Sequence, residues 1–230
     1  GNRSVPPKTG SADVLEALGV GLDISEDQFL DAIKTAGIGF LFARSHHSAM
    51  RHVAPVRSSL GIRTVFNLLG PLSNPAGASH QILGVYDPHW LRPMAETLQA
   101  LKIEHAWVVH GKMNDGLAID ELSIAGETLV VDVTENGLDE IVIHPSDAGL
   151  PVSPLSTLQG GSPDQNAKAI ADLFSNTASP FRDAVVLNAA AGLHLTGKAT
   201  TLREGAEIAS DAIASGAARE TLNKLKAATS

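Results

Sequence analysis

Ile82-Leu83-Gly84-Val85-Tyr86, a helical stretch from Pro88 to Leu101, and then Ala106-Trp107-Val108-Val109-His110 form the succession whose reading decides the fold. Two short apolar runs bracket one helix, the pattern of a strand–helix–strand unit. A unit of this kind sets its two strands parallel. The expectation is an α/β fold with a central, largely parallel sheet flanked by helices. Thr128 to Val133 and Glu140 to His144 read as two more β-rich pieces, expected as a hairpin or an antiparallel edge. Upstream, Ser25 with Gln28 three residues on resembles a capping box, followed by the stripe Phe29, Leu30, Ile33 and an end near Gly37. Phe40-Leu41-Phe42-Ala43 reads as a buried strand. Downstream, Ser162-Pro163-Asp164 starts a helix to about Phe174, and further helices are expected over Pro180 to Leu195, Leu202 to Ser215 and Ala217 to Ala228. The Pro-, Ser- and Gly-rich stretch from Pro145 to Pro163 is the candidate long loop.

Composition narrows the function. The 230 residues allow one large α/β domain or two small ones, with ample length for a core, and 43% hydrophobic content is ordinary for a globular chain. No apolar run approaches the ~20 residues that span a bilayer. Zero cysteines exclude disulfides and thiolate metal sites, which fits a cytoplasmic protein. A net charge of −8 argues against nucleic-acid binding.

The opening run from Gly1 to Asp13 is dense in donors for anionic oxygens, and it leads into the helical pattern Val14, Leu15, Leu18 closed by Gly19. Loops at helix N-termini hold phosphate, because free N–H groups and the helix dipole both favour negative charge. Composition alone equally allows a flexible tail. His46-His47 and His52 invite a metal reading, which is rejected: His47 and His52 stand five apart, whereas helical zinc pairs favour a spacing of four. Trp90 and Trp107 are expected in a core or interface.

Several motifs together resemble one family. They are Gly1-Asn2-Arg3-Ser4, Gly10-Ser11-Ala12-Asp13, Leu15-Glu16-Ala17-Leu18-Gly19, Phe40-Leu41-Phe42-Ala43 and His52-Val53-Ala54-Pro55-Val56-Arg57, with the run from Arg63 to Ala76 the longest. Val109-His110-Gly111, Asp120-Glu121-Leu122-Ser123, Gly160-Gly161 and Asn188-Ala189-Ala190-Ala191 belong to the same set. Over essentially the whole chain they resemble the anthranilate phosphoribosyltransferases. The resemblance implies a sheet of the nucleoside phosphorylase and phosphoribosyltransferase type, residues 1–230 forming a single α/β catalytic domain, and a homodimer in the full-length enzyme. It also implies that the chain is a C-terminal portion, lacking an upstream helical domain and Gly-rich pyrophosphate loop, and inactive in isolation.

The implied activity is transfer of the phosphoribosyl group of phosphoribosyl pyrophosphate to the anthranilate amine in tryptophan biosynthesis. By the resemblance, Gly1, Asn2, Arg3, Ser4, Lys8, Thr9 and Ser11 bind phosphoribosyl pyrophosphate, while Asn2 and Arg57 bind anthranilate. Arg57 suits a carboxylate because a guanidinium donates two parallel hydrogen bonds. Ala43, Arg44, His47 and Met50 line the approach, with Arg44 standing where the family usually has Pro. Asp120 and Glu121 match the family's Mg²⁺ site. A lone Asp-Glu dipeptide is most often a solvated turn. Gly137-Leu138-Asp139-Glu140 copies the family spelling more closely, but the sequence on either side matches the family around Asp120 instead. Pro6-Pro7 replaces a Ser-Ser pair and offers no N–H to phosphate. Two alternatives come from other classes: a non-catalytic paralogue acting as a binding protein, favoured by Pro6-Pro7, and a pyrimidine nucleoside phosphorylase, opposed by the run from Arg63 to Ala76.

Overall fold

The computed structural model describes residues 9–42, 66–112 and 118–230. In chain order the elements are α1 (Ser11–Ala17), α2 (Glu26–Ala36), α3 (Phe66–Leu72), β1 (His80–Gly84), α4 (Leu91–Ala100), β2 (His105–Lys112), β3 (Ala118–Ile119), β4 (Thr128–Thr134), β5 (Gly137–Ile143), α5 (Pro163–Leu173), α6 (Pro180–Leu195), α7 (Leu202–Ala214) and α8 (Ala217–Ala228). Short 3-10 turns stand at Pro88–Trp90, Pro145–Ala148 and Leu155–Leu158. The chain packs as two compact units, one drawn from Gly1–Asn67, Gly160–Thr177 and Ala212–Ser230, the other from Leu68–Gln159 and Ala178–Asp211.

In the first unit the described elements are helical. Ser25 accepts a hydrogen bond from Gln28 N–H, and the Gln28 side chain accepts one from Ser25 N–H, so the expected capping box starts α2. Gly37 ends it in the left-handed conformation at φ 74°. Helix α2 packs against α8 and α1 against α5. Phe42 is buried with Ala12 and Leu22. The expected strand at Phe40–Ala43 is corrected on this point: Phe40, Leu41 and Phe42 have no strand pairing, and Ala43 lies outside the described residues. Phe42 is buried and Phe40 half-buried here beside Ala12 of α1, without a sheet, and periodicity cannot tell such burial from burial in a strand.

The second unit holds the sheet, in the order β1-β2-β4-β5, with β3 paired to the end of β2. Strands β1 and β2 are parallel, with Gly84 opposite Val109, as the strand–helix–strand unit predicts. The other pairings among the described residues, β2–β3, β2–β4 and β4–β5, are antiparallel, so the sheet is mixed where a largely parallel one was expected. The cause is local. Glu135-Asn136 joins β4 to β5 as a two-residue turn, which forces antiparallel strands, and the chain between β2 and β4 forms no crossover helix among its described residues.

Helix α4 buries Leu91, Met94, Ala95 and Leu98 on one face of the sheet against Leu83, Ala106, Val108, Val131 and Val133. Helix α6 contacts β1 and β2, and its His194 ring lies 5.5 Å from that of Trp107. Trp107 is only 2% exposed, a core residue as expected. With both faces covered, β2 is buried from Ala106 to Gly111, which explains its unbroken apolar run.

Candidate active site

The candidate site starts from two glycines at the carboxyl ends of the parallel strands. Gly84 ends β1, and Gly111 is the penultimate residue of β2. Ile119 pairs with Gly111 and Ala118 with Lys112, so β3 returns the chain across the end of β2, and Asp120-Glu121 follow at once. A Cβ on Gly84 would stand 1.7 Å from the Asp120 carbonyl oxygen, and one on Gly111 would stand 2.6 Å from that of Glu121. Neither distance is physically available to a side chain, so both glycines are needed for the acidic segment to rest directly on the strand ends. Ligands of open α/β sheets gather at this edge.

The residues after the pair are tied down by side chains. Leu122 N–H donates to Asn188 Oδ1 at 3.1 Å, and Asn188 Nδ2 donates back to Leu122 O at 3.1 Å and to Ala184 O at 3.0 Å. Ser123 N–H donates to Thr128 Oγ1 at 2.9 Å, and Ala125 N–H to Ser123 Oγ at 3.0 Å. Buried His110 donates from Nδ1 to Val85 O at 2.9 Å, bracing the ends of β1 and β2. Three motifs far apart in sequence, Val109-His110-Gly111, Asp120 to Ser123 and Asn188, are therefore neighbours. Sequence reasoning singled out neither Gly84 nor the part played by Asn188. The signals for Asn188 were its place in the motif Asn188-Ala189-Ala190-Ala191 and its polarity within the otherwise apolar stretch Val186 to Ala191.

Both acidic side chains reach solvent. The Glu121 carboxyl is nevertheless crowded enough by protein that lost hydration pushes its pKa up, and the neighbouring Asp120 charge pushes the same way. Two adjacent oxygen ligands that repel each other suit a hard dication. Among the described residues no group of three or more His, Cys, Asp or Glu side chains converges as a metal cage. Mg²⁺ does not need one, since it is held by one or two carboxylates together with waters and substrate phosphates.

Glu140, of the competing Asp139-Glu140 pair, faces another partner. It sits on β5, 3.4 Å from Arg92 Nη1 in an exposed ion pair, and Asp139 lies opposite Asp132 in the β4–β5 register. In the first unit, Thr9 Oγ1 donates to Gly161 O at 2.7 Å. Gly161 is in turn bracketed by Asn166, which accepts from its N–H at 2.8 Å and donates to its carbonyl at 3.2 Å. The Thr9 hydroxyl proton is thus already committed to protein. Ser11 is exposed in the first turn of α1, where Asp13 accepts from Gly10 N–H at 2.9 Å and brings a negative charge to the helix start. Gly1, Asn2, Arg3, Ser4, Pro6, Pro7 and Lys8 lie outside the described residues, as do Ala43, Arg44, His46, His47, Met50, His52, Arg57 and Arg63.

The chain is 61% identical over 225 residues to the anthranilate phosphoribosyltransferase of Hyphomonas neptunium, covering 98% of this chain and 65% of that protein. The crystal structure of anthranilate phosphoribosyltransferase from Thermus thermophilus superposes with a TM-score of 0.91 at 46% identity, over 100% of this chain and 67% of that one. The enzyme from Saccharomyces cerevisiae, solved in complex with phosphoribosyl pyrophosphate and Mg, superposes with a TM-score of 0.88 at 27% identity, over 100% of this chain and 63% of that one. The chain spans just under two thirds of the length of the curated relatives it matches, 65% and 66% for the first two. The model of the glycosyl transferase family's a/b domain matches residues 1–219, and the chain belongs to that family.

Proposed function

We propose that the protein carrying this chain transfers the phosphoribosyl group of phosphoribosyl pyrophosphate to the amine of anthranilate, with release of pyrophosphate, in tryptophan biosynthesis. The observation that supports this most directly is the seating of Asp120-Glu121 on Gly84 and Gly111 at the carboxyl ends of β1 and β2. In the reaction the anthranilate nitrogen bonds to C1 of the ribose while the C1–oxygen bond breaks. The electron pair leaves with pyrophosphate, and the new nitrogen centre sheds a proton.

Asp120 and Glu121 are the residues that would hold Mg²⁺. Bound there, the ion supplies charge neutralisation for a polyanionic leaving group. Gly1, Asn2, Arg3, Ser4, Lys8, Thr9 and Ser11 would hold the phosphoribosyl pyrophosphate. Because the Thr9 hydroxyl donates to Gly161, its contribution is limited to its N–H and its oxygen lone pairs. Asn2 and Arg57 would hold anthranilate, with the Arg57 guanidinium on its carboxylate.

Residues 1–230 would serve as one α/β catalytic domain, acting in the cytoplasm as part of a homodimer with neither a nucleic-acid nor a membrane partner. Among the described residues no helix is long and apolar enough to cross a membrane. The test is to follow loss of anthranilate fluorescence in the presence of phosphoribosyl pyrophosphate and Mg²⁺. Turnover that requires all three components supports the reading, and its absence in the intact protein overturns it.

A further inference from the structure

We infer that Asn188 is a positioning residue that presents the Glu121 carboxylate of the Asp120-Glu121 pair by clamping the backbone of Leu122. The inference rests on reading that pair as the cation-holding one. Leu122 follows Glu121 directly, so rotation of its backbone swings the Glu121 carboxylate with it. Strand pairing does not reach Leu122 among the described residues. Instead one side-chain amide reads both of its polar backbone atoms, at 3.1 Å each, as a neighbouring strand would.

The clamp has a single working orientation. Asn188 Nδ2 uses its second proton on Ala184 O, one helical turn back, which fixes the amide to the frame of α6. Turning the amide over would set Oδ1 against two carbonyl oxygens and leave Leu122 N–H facing a donor. The Leu122 side chain is 1% exposed, so a backbone group released at this position would lose its partner where protein surrounds it. Helix α6 also packs on the sheet whose glycine ends carry the acidic segment, so the clamp and the seat belong to one compact unit. Residues that orient ligands without touching the ion commonly cost 10- to 100-fold in metal affinity when removed.

Mn²⁺ serves as the paramagnetic probe, titrated in the presence of pyrophosphate and followed by electron paramagnetic resonance on the intact protein. Wild type should bind, Glu121→Gln should bind more weakly, and Asn188→Ala should weaken binding roughly 10- to 100-fold. The Glu121→Gln/Asn188→Ala double variant should be little weaker than Glu121→Gln alone, because Asn188 acts through that carboxylate. Val133→Ala, in the sheet core, should lower the melting temperature and leave Mn²⁺ affinity unchanged. Unchanged affinity in Asn188→Ala, or fully additive loss in the double variant, overturns the positioning role. Equal binding by wild type and Glu121→Gln overturns instead the reading of the acidic pair. A second measurement needs no variant: coupling is reciprocal, so Mg²⁺ and pyrophosphate should slow hydrogen exchange at the Leu122 amide. An exchange rate that does not change when they are added counts against the clamp even if Asn188→Ala fails to fold.

Discussion

At the scale of single residues, the two acidic pairs separate cleanly. Asp120→Ala or Glu121→Ala should lower turnover by about 10²- to 10³-fold, the size of losing one electrostatic contact to developing charge. Glu140→Ala removes only the exposed pair with Arg92, worth about 0–1 kcal/mol, and should leave kinetics unchanged. Equal losses from the two pairs in a steady-state assay would contradict the assignment. Glu121 also makes a prediction about pH. Its folded-state pKa is raised, so its contribution to stability is fully present below the unfolded value and is lost as pH rises through the folded one. Glu121→Gln should therefore raise the melting temperature at neutral pH and give no gain below about pH 4, while impairing catalysis at both. Thermal melts across that range check the sign. If Arg57 holds the anthranilate carboxylate as proposed, Arg57→Ala removes a charge-assisted bond of ~1.5–3 kcal/mol from one substrate only and should raise KM for anthranilate far more than KM for phosphoribosyl pyrophosphate in steady-state kinetics.

Among elements, the ends of β1 and β2 matter more than their middles. A methyl group at Gly84 has nowhere to go with the Asp120 carbonyl 1.7 Å away, so Gly84→Ala must push the acidic segment off the strand end. The expected cost is about 1–3 kcal/mol of stability together with a large loss of turnover. Ser25→Ala is the matched control: it removes the α2 cap for about 0.5–2 kcal/mol and should leave kcat and KM alone. Chemical denaturation and steady-state kinetics on both variants distinguish a seat for the site from ordinary helix stability. Much at this scale was legible beforehand. Capping at Ser25 and Ser162, the end of α2 at Gly37 and the helix-plus-strand order follow from local chemistry, which acts within a few residues. The apolar run at Phe40–Phe42 was not legible, because burial among helices and burial in a sheet leave the same short pattern.

Across the whole molecule, the acidic segment is held by glycine contacts, the Asn188 clamp and the Thr128 hydroxyl, all of them protein. Chelating the metal should therefore abolish turnover while leaving the circular dichroism spectrum and the melting temperature nearly unchanged, and added Mg²⁺ should restore activity. Loss of structure on chelation would mark the ion as structural instead. The sequence by itself determined the α/β class, the parallel β1–β2 unit and the antiparallel pairing of β4 with β5. These follow from periodicity and turn length, which are properties of neighbouring residues. Only the tertiary structure decided that the sheet is mixed, that Thr9 donates its proton to Gly161, and that Gly84, Gly111 and Asn188 converge on one acidic turn. Those depend on which atoms approach within a few ångströms across as many as 152 residues of chain, and hydrophobic pattern does not encode distances of that kind.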